Sequence, residues 1–74
     1  MHANHKPAAP GLGTNLRRLR LKAGLSLHEL GDKCNLTHAS LSFLERGITK
    51  GNLGTIKRIA DALGCRVENL VKSA

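Results

Sequence analysis

Residues 25–47 read LSLHELGDKCNLTHASLSFLERG, and this stretch carries the same start signal twice. Ser26 is followed three residues later by Glu29, the spacing of a capping box in which each side chain serves the other residue's backbone N–H, and Leu25 and Leu30 stand where a hydrophobic staple would close. A helix is predicted from residue 26 to about 35. Thr37 repeats the grammar, with Leu36 before it, Leu41 as the staple partner and Gly47 directly after Arg46, so a second helix is predicted over residues 37–46. Between the two only Asn35 and Leu36 are left over. That is too little chain for a simple antiparallel hairpin, so a sharp corner is implied.

Working outward, the chain before this stretch turns helical at Leu12. Leu12, Leu16, Leu19 and Ala23 follow one another at intervals of four, three and four, which places them on one stripe, and Gly24 ends the segment. The opposite face carries Arg17, Arg18 and Lys22. After a loop over residues 48–51, Asn52 caps a fourth helix with Leu53, Ile56, Ile59, Ala60 and Leu63 as its apolar stripe and Gly64 as its stop. Gly54, just inside this helix, costs about 1 kcal/mol relative to Ala unless close packing requires it. A short last helix over residues 67–71 offers Val67 and Leu70 to the core. The expected architecture is all-α: a compact five-helix bundle built around a helix-turn-helix, over residues 12–74. Residues 1–11 are expected to form a flexible arm, since MHANHKPAAP has two prolines and no apolar period.

Composition narrows what such a bundle does. A chain of 74 residues supports one core and no deep, water-excluding pocket. With one Phe and neither Trp nor Tyr, that core is built from Leu, Ile, Val and Ala. There is no Ser/His/Asp spacing, phosphate loop or acidic pair, so the chain is not expected to be an enzyme, and no cofactor or small-molecule ligand is implied. Twelve Lys and Arg against five Asp and Glu give a net charge of +7, which favours a polyanionic partner, nucleic acid first. Cys34 and Cys65 lack zinc-finger spacing, and Cys34 falls at an apolar helix position. Nor do His28 and His38, or His2 and His5, have further ligands beside them, so no metal is expected. With no apolar run of membrane-spanning length and no signal-peptide pattern, the expected location is the cytoplasm.

Two capped helices meeting at a tight corner in a small basic chain describe a helix-turn-helix. Leu25-Ser26 with Glu29-Leu30, then Leu44-Glu45-Arg46-Gly47, then Ala60 through Leu63-Gly64 resemble the phage-repressor and Cro type, or XRE-type, helix-turn-helix family. The resemblance extends over NLGTIKRIADALGCRVENLV, residues 52–71, and covers about 60 of the 74 residues. It implies a lambda-repressor-like DNA-binding domain in a sequence-specific transcriptional regulator, more often a repressor, acting as a homodimer on a palindromic operator in double-stranded DNA.

In that family's docking geometry the second motif helix enters the major groove. Thr37, His38, Ala39, Ser42 and Phe43 would then meet base edges, with Leu36, Leu41 and Leu44 turned inward. Phosphates would be met by the backbone at Ser26 and Leu27, where a helix N-terminus presents free N–H groups, and by Lys33, Arg46 and Lys50. The resemblance also makes Arg20 and Glu45 a structural ion pair between the first and third helices. Two positions depart from the family pattern. Leu27 stands where a Gln commonly holds a phosphate and supports a recognition-helix side chain, and Phe43 replaces a residue that is usually polar or basic. Both departures remove hydrogen-bonding capacity from the expected DNA face. They leave open a second reading, an adaptor that keeps the fold and docks a protein on an apolar patch at Leu27 and Phe43.

Overall fold

A computed structural model of the chain describes residues 10–71. Five helices follow one another: α1 Pro10–Lys22, α2 Leu27–Cys34, α3 His38–Glu45, α4 Leu53–Leu63 and α5 Val67–Val71. No strand occurs among the described residues. Within α1 the backbone is helical from Pro10, two residues ahead of the expected start. A proline is well placed there, because the first turn of a helix has no use for its missing N–H. Gly11, expected in the arm, is helical and buried. The remainder of that arm, with His2 and His5, lies outside the described residues.

The start signals act as the sequence implies. Ser26 is the N-cap of α2: its Oγ accepts from the Glu29 amide at 3.0 Å while the Glu29 carboxylate accepts from the Ser26 amide at 2.8 Å, a reciprocal capping box. Thr37 caps α3 by accepting from the Ser40 amide at 3.1 Å, and Asn52 caps α4 by accepting from the Thr55 amide at 2.8 Å. The corner between α2 and α3 turns at Asn35, whose φ of 59° and ψ of 46° are left-handed. The amides of Asn35 and Leu36 both bond to the Gly31 carbonyl, so the chain folds back over Gly31. A Cβ on Gly31 would lie 2.4 Å from the Leu36 carbonyl oxygen, which is why this residue must be glycine for the corner to be so tight.

The core gathers Leu12 and Leu16 from α1, Leu30 and Cys34 from α2, Leu41 and Leu44 from α3, Ile59 and Ala60 from α4, and Leu70 from α5. α1 packs on α3 and α5, and α2 packs on α3 and α4, so the two helices of the motif are braced from both sides. Asn15, itself buried, donates from its side chain to the Leu70 carbonyl at 2.9 Å and ties the short α5 to α1. Two members of the expected apolar stripes are not in the core. Ala23 lies beyond the end of α1 and is exposed. Leu53 is 66% exposed, because it opens α4 before that helix has reached the bundle. Gly54 is not a close-packing position either: the nearest neighbour of an added Cβ would be the Asn52 cap oxygen at 3.4 Å.

Both cysteines are free thiols. Cys34 is buried, its Sγ–H donates to the Leu30 carbonyl at 3.1 Å, and burial raises its pKa above the ordinary thiol value; burial raises Cys65 in the same sense. A thiol so protected stays protonated and packs as a small apolar group. No group of three or more His, Cys, Asp or Glu that could hold a metal occurs among the described residues, and no helix is long and apolar enough to cross a membrane.

Candidate nucleic-acid interface

α3 presents two sides of opposite character. Leu41 and Leu44 are buried in the core, whereas His38, Ala39, Ser40 and Phe43 are exposed and Ser42 is half-buried. Residues four apart on a helix stand one above the other, so His38 and Ser42 form one outer column and Ala39 and Phe43 the next. Together they make a narrow outward strip on a helix held by α1 on one side and α2 on the other.

Arg20 fixes the far end of this helix. Its Nε meets Glu45 Oε2 at 2.6 Å, its Nη2 meets Oε1 at 3.1 Å, and its Nη1 donates to the Leu25 carbonyl at 2.8 Å. One guanidinium in α1 therefore grips the last residue of α3 and the turn entering α2. Its hydrogen bonds to Glu45 raise the Arg20 pKa further and keep it charged. Beside this bridge α1 and α3 come into backbone contact: a Cβ on Gly13 would lie 2.5 Å from the Glu45 carbonyl oxygen and 2.8 Å from that of Leu44.

At the near end, His28 from the first turn of α2 stacks on His38, the first residue of α3, with ring centroids 4.0 Å apart and planes inclined by 28°. The first turn of α2 and the outer strip of α3 are thus brought together at one end of the motif. Toward the other end the Arg46 guanidinium lies 5.7 Å from the centre of the Phe43 ring, within the range of a cation–π contact. The carbonyl of Phe43 accepts from the amides of Ile48 at 2.9 Å and Thr49 at 3.4 Å, which folds the loop carrying exposed Lys50 back toward α3.

Several residues singled out from the sequence stand differently from their expected roles. The Ser26 amide is bonded to Glu29 and is not open to an anion, so the open donors of this first turn are the amides of Leu27 and His28. Thr37 is exposed, but its hydroxyl accepts from the Ser40 amide and donates to Ser40 Oγ at 3.0 Å, which commits most of its hydrogen-bonding capacity to the cap. Leu27 is half-buried and packs against the core, so the apolar surface it could lend to a patch with Phe43 is largely taken up by the fold. Lys33, at the far end of α2, lines a shallow groove with Cys34, Asn35, Arg58, Asp61 and Ala62, away from the α3 strip. Sequence reading also missed Ser40, exposed one turn after the corner and sharing a hydroxyl bond with Thr37, and the partnership of His28 with His38. The identical spacing of Thr37 and Ser40 to a capping pair was a usable signal for the first. Nothing in spacing marks the second, since the rings meet only because the corner is tight.

A braced helix whose outer strip projects past its neighbours, preceded by a capped helix with open amides and followed by a basic loop, defines a helix-turn-helix DNA-binding domain. The chain matches the helix-turn-helix family over residues 16–70. Among solved structures it is similar to the restriction-modification controller protein C.AhdI from Aeromonas hydrophila, with 32% identity and a TM-score of 0.78 over 81% of this chain and 91% of that one. A hypothetical transcription factor, NHTF, from Neisseria has 32% identity and a TM-score of 0.80 over 89% and 75% of the two chains. The clp gene regulator ClgR from C. glutamicum has 32% identity and a TM-score of 0.76 over 81% and 78%. None of the curated protein sequences compared with the chain matches it. The protein belongs to the XRE-type helix-turn-helix family of DNA-binding transcription regulators.

Proposed function

We propose that this protein is a sequence-specific repressor that sets α3 in the major groove of double-stranded DNA. The observation that carries the reading is the outer strip of α3, where His38, Ala39 and Phe43 are exposed on a helix whose other side is locked into the core. His38 and Ser42 supply hydrogen bonds to base edges, and Ala39 and Phe43 supply apolar contact of the kind a thymine methyl accepts. Ser40 joins them as an exposed hydroxyl, and Thr37 serves chiefly as the cap that aims the strip. The amides of Leu27 and His28, with Arg46 and Lys50, meet phosphates on either side and fix the register.

One helix of this size buries too little surface for specific binding alone, so the protein acts as a symmetric homodimer in the cytoplasm on a palindromic operator, with half-sites about 34 Å apart. The similarity to a restriction-modification controller, at 32% identity over 81% of this chain, supports a DNA-binding regulator. The adaptor reading is weaker, because Leu27 is packed against the core rather than offered beside Phe43. Selection of bound duplexes from a random pool at a stated salt concentration tests the proposal. A two-fold symmetric motif is expected. Recovery of no preferred sequence, with binding that salt abolishes uniformly, would remove the repressor reading.

A further inference from the structure

We infer that His28 is a specificity-determining residue that acts by positioning His38, an inference that rests on the reading of His38 as a base contact. Leu27 has no hydrogen-bonding group with which to orient a recognition-helix side chain, and it is half-buried against the core. The next residue, His28, lays its ring on that of His38 at 4.0 Å between centroids. Both imidazoles are exposed, so neither is held by surrounding core, and the stack restrains both side chains. An unrestrained histidine at the start of α3 would sample several rotamers and offer its ring nitrogens in several directions. Stacked between α2 and the groove, it offers them in one. The stack leaves the edge of the His38 ring, where both nitrogens sit, free for a partner, because the contact with His28 uses the ring face.

The arrangement also sets what kind of group can stand at position 28. The contact is face to face, so a flat ring is required, and a ring nitrogen is not. His28→Phe therefore keeps the function and His28→Ala loses it. The reading is made with the full chain, by measuring relative affinities for duplexes that vary at one base pair per half-site, alongside thermal unfolding and NMR of the His38 ring protons. His28→Ala is expected to flatten the preference at the base pair His38 reads by on the order of two- to tenfold, the range of one aromatic contact. The unfolding midpoint is expected to stay unchanged, since His28 is exposed. In the free protein the His38 ring protons are expected upfield in wild type and in His28→Phe, and near their random-coil positions in His28→Ala.

Equal weakening on every duplex, with no change in base preference, would overturn the inference, because the His28 ring would then be a phosphate contact in its own right and not a support for His38. So would unchanged base preference in His28→Ala when His38→Ala changes it. If His38→Ala itself alters no base preference, the groove reading of His38 falls, and the inference with it.

Discussion

Arg20 and Glu45 meet through two bonds, Nε to Oε2 at 2.6 Å and Nη2 to Oε1 at 3.1 Å, across 25 positions of sequence. The two side chains are only 10% and 6% exposed. Removing one partner leaves a buried charge without its counterion, so Glu45→Ala is expected to lower stability by about 3–5 kcal/mol. That is a large share of the ~5–10 kcal/mol available to a small domain. Replacing both residues by apolar ones, Arg20→Met with Glu45→Leu, removes the uncompensated charge and is expected to recover much of the loss. Urea unfolding of wild type and the two variants checks this. A Glu45→Ala midpoint equal to wild type would mean that the pair is solvated in solution.

Two glycine-to-alanine substitutions are expected to act with opposite sign. Both replace a helical glycine with a better helix former, worth up to about 1 kcal/mol. At Gly54 the new methyl group meets only the Asn52 side-chain oxygen at 3.4 Å, so Gly54→Ala should stabilise by about 0.5–1 kcal/mol. At Gly13 it meets two backbone carbonyls of α3 at 2.5 and 2.8 Å, which cannot swing aside as a flexible side chain could. Gly13→Ala should therefore destabilise by about 1–3 kcal/mol, the cost of forcing packed elements apart. Thermal midpoints of the pair decide it. A gain at Gly13 would show that α1 and α3 slide freely.

These two helices also show what the sequence made legible. Ser26 with Glu29, and Thr37 between Leu36 and Leu41, are local signals, because capping is settled within about one turn of chain, and from them both helices of the motif and the corner between them could be placed. The inward set Leu41 and Leu44 came with the family's docking geometry, and both are buried in the core. Gly13 lies outside that reach. Its role depends on which helix arrives opposite it, and α3 begins 25 residues later. Arg20 and Glu45 came only with the family resemblance, for the same reason. Leu53 shows the opposite failure: it has the right phase in α4, but phase says nothing about whether a neighbour is present at that end of the helix.

Binding to DNA is expected to fall steeply with salt. If about 6 phosphates are met per bound protein, affinity should drop on the order of a thousandfold between 50 and 200 mM salt. Lys50 is exposed in the loop that folds back on the Phe43 carbonyl. Lys50→Gln should weaken all duplexes alike and reduce the slope of log affinity against log salt by about 1. Lys33→Gln should leave the slope in place, since Lys33 lines a groove with Arg58 and Asp61 away from α3. A slope that drops with Lys33→Gln and not with Lys50→Gln would put the DNA on the other side of the molecule.

Glu29 is expected to support the fold and oppose DNA binding at the same atoms. Its carboxylate accepts from the Ser26 amide at 2.8 Å, and this bond, followed by the one involving the Ser26 side chain, holds its pKa below the ordinary glutamate value. Because the folded-state pKa is the lower one, the carboxylate's contribution to stability is fully present above the ordinary glutamate range and is lost as pH falls through the folded value. The unfolding midpoints of wild type and Glu29→Gln should therefore differ at neutral pH and converge on acidification. The same negative charge sits at the N-terminus of α2, where the open Leu27 and His28 amides would meet a phosphate. Neutralising it should tighten binding to random duplex at low ionic strength on the order of two- to fivefold, the effect of one charge at a helix end. Stability and affinity thus move in opposite directions in one variant, which a merely unfolded or merely looser protein cannot reproduce. If Glu29→Gln binds duplex no better than wild type at low salt, phosphate does not approach this end of α2, and the anchoring assigned to its amides is wrong.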